Sequence, residues 1–260
     1  MPRAFRVIFW MGVLAAATTG AGCGTVSVRS ESVATELSPH LERAPTHVQF
    51  LRDLVQSVPP GATSYRHTRP EVRLDSNGKS VCHADCSSLL NEVFQQTLSL
   101  DEPAIRAWLG RDRPRAREYF ETISSEHGFR RITLVTEIKI GDVIAIRYES
   151  GAANTGHVMV VNAPPRVSER SLPIVSGARA WEVDVIDSSA SGHGPGDSRT
   201  TADGGFRRGL GRGTIRLFCG ESGEVLGHTF TMSSAAPFRP VAQRPIVVGR
   251  LTSPPVRSPR

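Results

Sequence analysis

Patterns that mark several common functional classes are missing from this sequence. Residues 192–213 are rich in glycine, but they lack the Gly-Lys-Ser or Gly-Lys-Thr ending of a phosphate-binding loop and precede a strand pattern rather than a helix. Aromatic residues make up only 6% of the chain and seldom stand between its arginines, which argues against a nucleic-acid surface. We therefore predict a long surface loop over residues 192–213 and no nucleic-acid partner.

The sequence also lacks a strong charge imbalance. The formal net charge is +6, and Arg3 and Arg6 contribute to it from a leader segment that we expect to be removed. The remaining arginines are scattered along the chain, so we interpret them as solvated faces. Weak attraction to anionic cell-wall polymers or lipid headgroups is the alternative interpretation.

The first residues have the charge order of an export signal. Arg3 and Arg6 precede an apolar stretch without acidic residues, and small residues lead to Cys23 in "TGAGC". This ending resembles a bacterial lipobox, which would leave a lipid-modified Cys23 at the mature N-terminus; cleavage after Ala21 by an ordinary signal peptidase is the alternative. We predict a signal peptide over residues 1–23, a polar tether over residues 24–38, and an exported protein of the cell envelope, anchored to its membrane through lipid.

Helical patterns precede strand patterns in the rest of the chain. Helices are predicted over residues 47–58, from Asp85 to Leu98, and over residues 102–110 and 114–128, the last with Gly128 as its cap. A polar loop is predicted over residues 64–80, and short β-type runs follow Phe129. Helices first and strands later favour one α+β domain with an antiparallel sheet, over residues 39–252, followed by a disordered tail over residues 253–260.

The stretch "VCHADCSSLLNEVF" places a cysteine at the start of a predicted helix. Asp85 is a suitable N-cap residue, so Cys86 lies in the first turn. There the helix dipole and unpaired backbone N–H groups favour a thiolate and can stabilise an oxyanion. Cys86 is therefore a candidate nucleophile, although a cysteine at this position is also a common small buried side chain.

The other cysteines leave two alternatives open for this stretch. A zinc site could use Cys82, His83 and Cys86, but zinc sites usually pair two short ligand couples and this sequence offers one. In an exported protein a disulfide between Cys82 and Cys219, or two buried thiols, would leave Cys86 free. We favour the free Cys86, with no metal and no other cofactor.

Two later residues could activate this thiol. His157 opens a predicted strand directly after a turn and is the candidate base, and the following strand pattern ends in Asp187, which could orient the imidazole. His193, which follows closely, could take the place of Asp187 as the partner of the histidine. Alone, each of these residues has an ordinary structural interpretation; their order is what indicates a site.

The three motifs "DCSS" at residues 85–88, "GDVIAIRY" at residues 141–148 and "GHVMVV" at residues 156–161 resemble the NlpC-like branch of the papain superfamily, which comprises cell-wall cysteine peptidases and amidases. The resemblance implies a papain-like domain with N-terminal helices packed on an antiparallel sheet. It implies Cys86 as nucleophile, His157 as general base and then acid, and a third polar residue, here Asp187. It also suggests Tyr65, with His67 and Asp85, as oxyanion-stabilising or substrate-binding residues, although Tyr65 is farther upstream than in that family and Ser88 replaces a glycine.

We therefore expect a thiol hydrolase that cleaves an amide bond in the cell envelope, with a peptidoglycan stem peptide as the substrate that the resemblance implies. The same chemistry could transfer an acyl group instead. The alternative from another class is a non-catalytic envelope-binding lipoprotein that retains the fold.

Overall fold

The computed structural model describes residues 44–149, 154–169 and 172–254. The predicted signal peptide with Cys23, the tether and residues 255–260 of the tail lie outside the described residues. Within these ranges, no helix is long and apolar enough to cross a membrane.

Four α-helices form the first half of the described chain, and they confirm the helical patterns of the sequence. Each buries one apolar stripe against the sheet or a neighbouring helix. One prediction is wrong in detail, because the last helix ends at Ser124, before Gly128. The helices are α1 (Thr46–Ser57), α2 (Cys86–Leu98), α3 (Glu102–Leu109) and α4 (Ala116–Ser124).

A nine-stranded antiparallel sheet forms most of the second half, so the α+β class with an antiparallel sheet is confirmed. Its strand order is β11-β10-β9-β8-β6-β5-β12-β4, and β7 pairs with β8 beside this path. The strands are β4 (Phe129–Ile132), β5 (Val143–Arg147), β6 (Gly156–Val161), β7 (Arg166–Val167), β8 (Arg179–Ser189), β9 (Gly209–Cys219), β10 (Val225–Thr229), β11 (Arg239–Pro240) and β12 (Ile246–Leu251).

Both faces of the large sheet are buried, which explains why its central strands are apolar almost throughout. In β5, Val143 and Ala145 belong to the core that the helices cover, whereas Ile144 and Ile146 belong to a second apolar cluster. This alternation follows from the two-residue period of a strand. Strands β6 and β8, which contain His157 and Asp187, are therefore held on two sides.

A second, three-stranded sheet occupies the segment predicted as a polar loop, and that prediction is wrong. Strand β1 (Thr63–Ser64) pairs in parallel with β3 (Val81–His83), which also pairs with β2 (Glu71–Arg73). The backbone N–H of Ala84 donates to the carbonyl of Ser64 at 3.1 Å. This pairing brings the residue after β1, Tyr65, beside the segment that leads into Cys86.

Residues 192–213 are not the surface loop that the sequence analysis predicts. His193, Asp197 and Arg199 are buried, and residues from Gly209 onward belong to β9. A Cβ atom at Gly211 would lie 2.6 Å from Cγ of Arg199, and one at Gly213 would lie 2.5 Å from Cδ2 of His193. The alternating glycines of β9 therefore provide the space into which these two side chains pack.

Candidate active site

The first turn of α2 holds Cys86 next to its N-cap residue. The Asp85 carboxylate accepts a hydrogen bond from the backbone N–H of Ser88 at 2.7 Å and another from the Ser87 hydroxyl at 3.1 Å. Burial alone would raise the pKa of Asp85, but these donors, together with His67, hold it below its ordinary value. Asp85 therefore fixes the start of the helix as an anion, which the positive end of the helix dipole also favours.

The His157 imidazole connects the Cys86 thiol to a buried carboxylate. It lies next to Cys86, and its Nε2 lies 2.5 Å from Oδ2 of Asp187. Because Nε2 is occupied by Asp187, Nδ1 is the ring nitrogen that remains available to the thiol. Burial alone would lower the pKa of His157, but the charge of Cys86 and the hydrogen bond to Asp187 outweigh it and raise that pKa to about 10.

Asp187 is the centre of a buried network of charges. Its Oδ2 also accepts from Nε2 of His193 at 3.0 Å, and its Oδ1 accepts from Nη1 of Arg199 at 2.9 Å. Arg199 in turn donates to both carboxylate oxygens of Asp197. Burial would raise the pKa of Asp187, but the positive charges of His193 and Arg199 and the hydrogen bond from His157 hold it well below its ordinary value.

His193 is hydrogen-bonded to Asp187 and only its ring edge approaches His157, with centroids 6.4 Å apart, so it lies behind the carboxylate and does not replace it. The backbone carbonyl of Phe230 is 2.8 Å from Nδ1 of His193, and the Phe230 ring packs edge-on against His157 with centroids 5.0 Å apart. Both ring nitrogens of His193 thus lie at hydrogen-bond distance from an oxygen acceptor. The network therefore fixes the orientation of Asp187 through contacts other than the one with His157.

Tyr65 and His67 lie at the other side of the thiol. Tyr65 lies close to Cys86, and its pKa is raised by burial and by the nearby charges of Cys86 and Asp85. His67 is exposed and its Nδ1 lies 2.9 Å from Oδ2 of Asp85, with its ring against that of Tyr65. The sequence-predicted residues Tyr65, His67 and Asp85 are therefore brought together with Cys86.

The other two described cysteines are free, buried thiols, so the predicted bridge between Cys82 and Cys219 is not formed. They belong to different apolar clusters, which occupy opposite faces of the large sheet. Burial raises the pKa of each to about 12, Glu224 adding to the effect at Cys219. Both side chains therefore remain protonated at neutral pH.

The zinc site considered for Cys82, His83 and Cys86 is not formed. Because side chains alternate along strand β3, Cys82 lies in the core, whereas Nδ1 of the next residue, His83, lies 2.8 Å from the Ser64 hydroxyl. Among the described residues, only His157, Asp187 and His193 have potential ligand atoms within 4.8 Å of one another. The guanidinium of Arg199 already neutralises Asp187, so this group is better explained as a hydrogen-bond network than as a cation site.

Two cavities border the candidate site. One of about 530 Å³, on the Cys86 side, is lined by Cys86, Arg113 and Asn154, and one of about 310 Å³, on the His157 side, is lined by His157, Tyr148 and Arg244. Tyr65 lines both cavities. A substrate that extends across Cys86 could therefore contact both cavities, and Tyr65 lies where the two cavities meet.

Some residues of this site were not predicted from the sequence. Arg199, Asp197 and Phe230 belong to no motif of the sequence analysis, and Tyr148, although it ends the motif at residues 141–148, was not assigned to the site. The alternating glycines at residues 209, 211 and 213 were the available signal for Arg199, because a buried strand without side chains on one face must be filled by another segment.

Comparison with known proteins gives one informative relative. The chain is 31% identical over 202 residues to "Uncharacterized protein R653" of Acanthamoeba polyphaga mimivirus, an alignment that covers 74% of this chain and 88% of the viral protein. The chain belongs to the same protein family as this viral protein. No family profile and no solved structure matches the chain. Members of this family therefore occur in a giant virus, and the alignment is long enough to span most of the described fold.

Proposed function

We propose that this protein is a cysteine hydrolase that cleaves an amide bond. The observation that carries the proposal is the series of Cys86, His157 and Asp187, in which the thiol lies at a helix N-terminus next to His157 and Nε2 of His157 lies 2.5 Å from Asp187. A general base within hydrogen-bond reach of a nucleophile, itself oriented by a third group, is the arrangement that covalent acyl chemistry requires.

The reaction would proceed through a thioester. The Cys86 thiolate attacks the amide carbon, and the C–N bond breaks as His157 gives its proton to the leaving amine. A water molecule then attacks the thioester carbon and gives one proton to His157, the C–S bond breaks, and the carboxylic acid and the Cys86 thiolate are released. During both steps the negatively charged oxygen can accept hydrogen bonds from the Tyr65 hydroxyl and from backbone N–H groups in the first turn of α2.

A papain-like fold of the NlpC type and an envelope amide substrate complete the proposal. The support is the resemblance of residues 85–88, 141–148 and 156–161 to that group, together with helices packed on an antiparallel sheet. A peptidoglycan stem peptide is the substrate class that this resemblance implies. We propose further that the protein is exported and anchored to the envelope membrane through Cys23.

The proposal is tested by the reactivity of Cys86. Iodoacetamide should alkylate it rapidly at mildly acidic pH in the wild type, because the charge of a protonated His157 stabilises the thiolate. His157→Ala should slow alkylation at that pH by about tenfold or more, since the charge partner is lost. Asp187→Asn should reduce turnover more than alkylation, because orientation matters most when the proton is transferred. Peptide mapping identifies the labelled cysteine, and Cys86→Ala supplies the control.

Turnover is measured on a mixture of peptidoglycan fragments, by mass spectrometry of the released amine and acid. Rapid alkylation of Cys86 together with cleavage that Cys86→Ala abolishes supports the proposed hydrolase. An alkylation profile of an ordinary thiol that is unchanged by His157→Ala would contradict it and favour a non-catalytic binding protein.

A further inference from the structure

The cavity of about 310 Å³ beside His157 is positively charged and has no acidic residue among its described lining residues. Tyr65, Tyr148, His228, Arg239 and Arg244 contribute to its wall. The proposed cleavage reaction uses the His157 side of this wall but gives no role to His228 or to the two arginines. His228, Arg239 and Arg244 are therefore candidates for binding a ligand.

His228 is a buried polar group without a partner. Its side chain lies in strand β10, the residue is 3% exposed, and its Nδ1 has no hydrogen-bond partner. Burial and the charges of Arg244 and Arg239 lower its pKa to about 4, so the ring is neutral at physiological pH and can offer one N–H. Buried nitrogens are usually hydrogen-bonded, and an exception beside a catalytic histidine indicates a group that arrives with the ligand.

The two arginines are placed on either side of this histidine. Arg239 lies directly opposite His228 on the paired strand β11, and Arg244 stacks over the ring of Tyr148 at 4.1 Å. In the portion of the chain that the structure describes, neither arginine forms an ion pair with a carboxylate. Stacking on Tyr148 restrains the Arg244 guanidinium, which lowers the entropy that ligand binding would cost.

We infer that this cavity binds a carboxylate group of the substrate whose amide is held at Cys86, through Arg239, Arg244 and the ring N–H of His228. Guanidinium groups recognise planar carboxylates through paired hydrogen bonds, and the neutral imidazole adds a donor without adding charge. This inference rests on the proposed function, and it specifies the substrate as an acidic amide in which a free carboxylate lies near the scissile bond.

Binding is measured on the Cys86→Ala protein, which cannot turn over. The probes are N-acetyl-glutamate amide and N-acetyl-glutamine amide, which are alike in shape and differ in charge, and the ring nitrogens of His228 are followed by NMR during titration. The glutamate compound should bind at least about tenfold more tightly than the glutamine compound and should shift the His228 resonances. N-acetyl-O-phosphoserine amide tests the alternative anion.

Three variants test which residues cause the preference for the glutamate compound. Arg244→Gln and Arg239→Gln should each reduce the preference for the glutamate compound, and His228→Phe, which keeps the ring without its nitrogens, should reduce it as well. The matched control is Arg130→Gln, which removes a positive charge at an exposed position outside both cavities and should preserve the preference. Calorimetric binding to each variant replaces the NMR signal where His228 is changed.

Equal binding of the two probes, binding of neither, or an equal loss in Arg130→Gln would overturn the inference. Tighter binding of the phosphoserine compound would overturn the assignment of a carboxylate. Alkylation of wild-type Cys86 is measured in parallel, so a failure of the proposed hydrolase appears as an unreactive thiol and is distinguished from a failure of the binding site.

Discussion

The Ser188 hydroxyl donates a hydrogen bond to the backbone carbonyl of Ala84 at 2.6 Å, which ties strand β8 to the segment two residues before Cys86. The preceding residue of the same strand, Asp187, binds His157 from the other face, because successive strand side chains point in opposite directions. One strand thus positions both candidate residues, Cys86 and His157.

Ser188→Ala removes this connection and leaves a buried carbonyl without its donor. We expect the free energy of unfolding to fall by about 1–3 kcal/mol. The measurement is urea unfolding followed by circular dichroism. Ser234→Ala, which changes an exposed serine, is the control and should leave stability close to that of the wild type. Equal stability of the two variants would show that the Ala84 carbonyl finds another donor.

Asp187→Asn should destabilise the protein at neutral pH by about 3 kcal/mol or more, because Arg199 loses its buried ion pair. The sign of the pH dependence follows from the lowered pKa of Asp187. A carboxylate of this kind contributes stability above its ordinary pKa of 3.8 and loses that contribution as the pH falls through its lower folded value. The difference in free energy of unfolding between wild type and variant, measured by urea unfolding, should therefore become smaller below about pH 4. A stability difference that does not change with pH would indicate that lost packing, and not lost charge, destabilises the variant. Asp203→Asn, at an exposed position, is the control.

Two buried histidines should differ in charge throughout the neutral range. The pKa of His157 is raised to about 10 and that of His228 is lowered to about 4. His157 should therefore stay protonated between about pH 5 and pH 9, stabilising the fold fully below 6.5 and losing that contribution as the pH rises through about 10. Ring nitrogen NMR shifts across this range test both states. In Cys86→Ala the transition of His157 should move to lower pH, and an unchanged transition would contradict the contact with Cys86.

Gly211→Ala should disturb the charge network without replacing any charged residue. The new methyl carbon would lie 2.6 Å from Cγ of Arg199, whose guanidinium is held by Asp187 and Asp197. We expect a loss of about 1–3 kcal/mol in the free energy of unfolding. Gly61→Ala, at a position where the added Cβ has no neighbour within 4 Å, is the matched control. Equal stability of the two variants would show that Arg199 is not confined by β9.

The anchoring proposal concerns Cys23, outside the described residues. The mature protein should begin at Cys23, carry lipid there and partition into the detergent phase, because two attached acyl chains bind a membrane stably. Mass spectrometry of the purified N-terminus measures this directly, and Cys23→Ala is the control. A detergent-insensitive protein that begins at Gly22 with an unmodified cysteine would favour ordinary signal-peptidase cleavage.

The sequence was sufficient for elements whose burial follows a local period. Helix α2 has its apolar positions at helical spacing after an N-cap residue, and β6 begins directly after a turn, so Cys86 and His157 could be assigned before the structure. Strands β1 and β3 contain two and three residues, too few to show any period, and their pairing was missed. Arg199 was missed for a related reason, because its burial depends on glycines that follow it in β9 and on a carboxylate from β8.

The parallel pairing of β1 with β3 also bears on how this family can diverge. The pairing of Ser64 with His83 fixes both ends of the segment between β1 and β3. The turn at residues 74–80 within this segment therefore closes a loop but does not itself hold the site together. The entropy of closing such a loop rises by only about 0.6 kcal/mol for each doubling of its length. Relatives can therefore gain or lose residues in this turn and still present a tyrosine to the cysteine, which makes the spacing between the two along the chain a poor criterion for finding them.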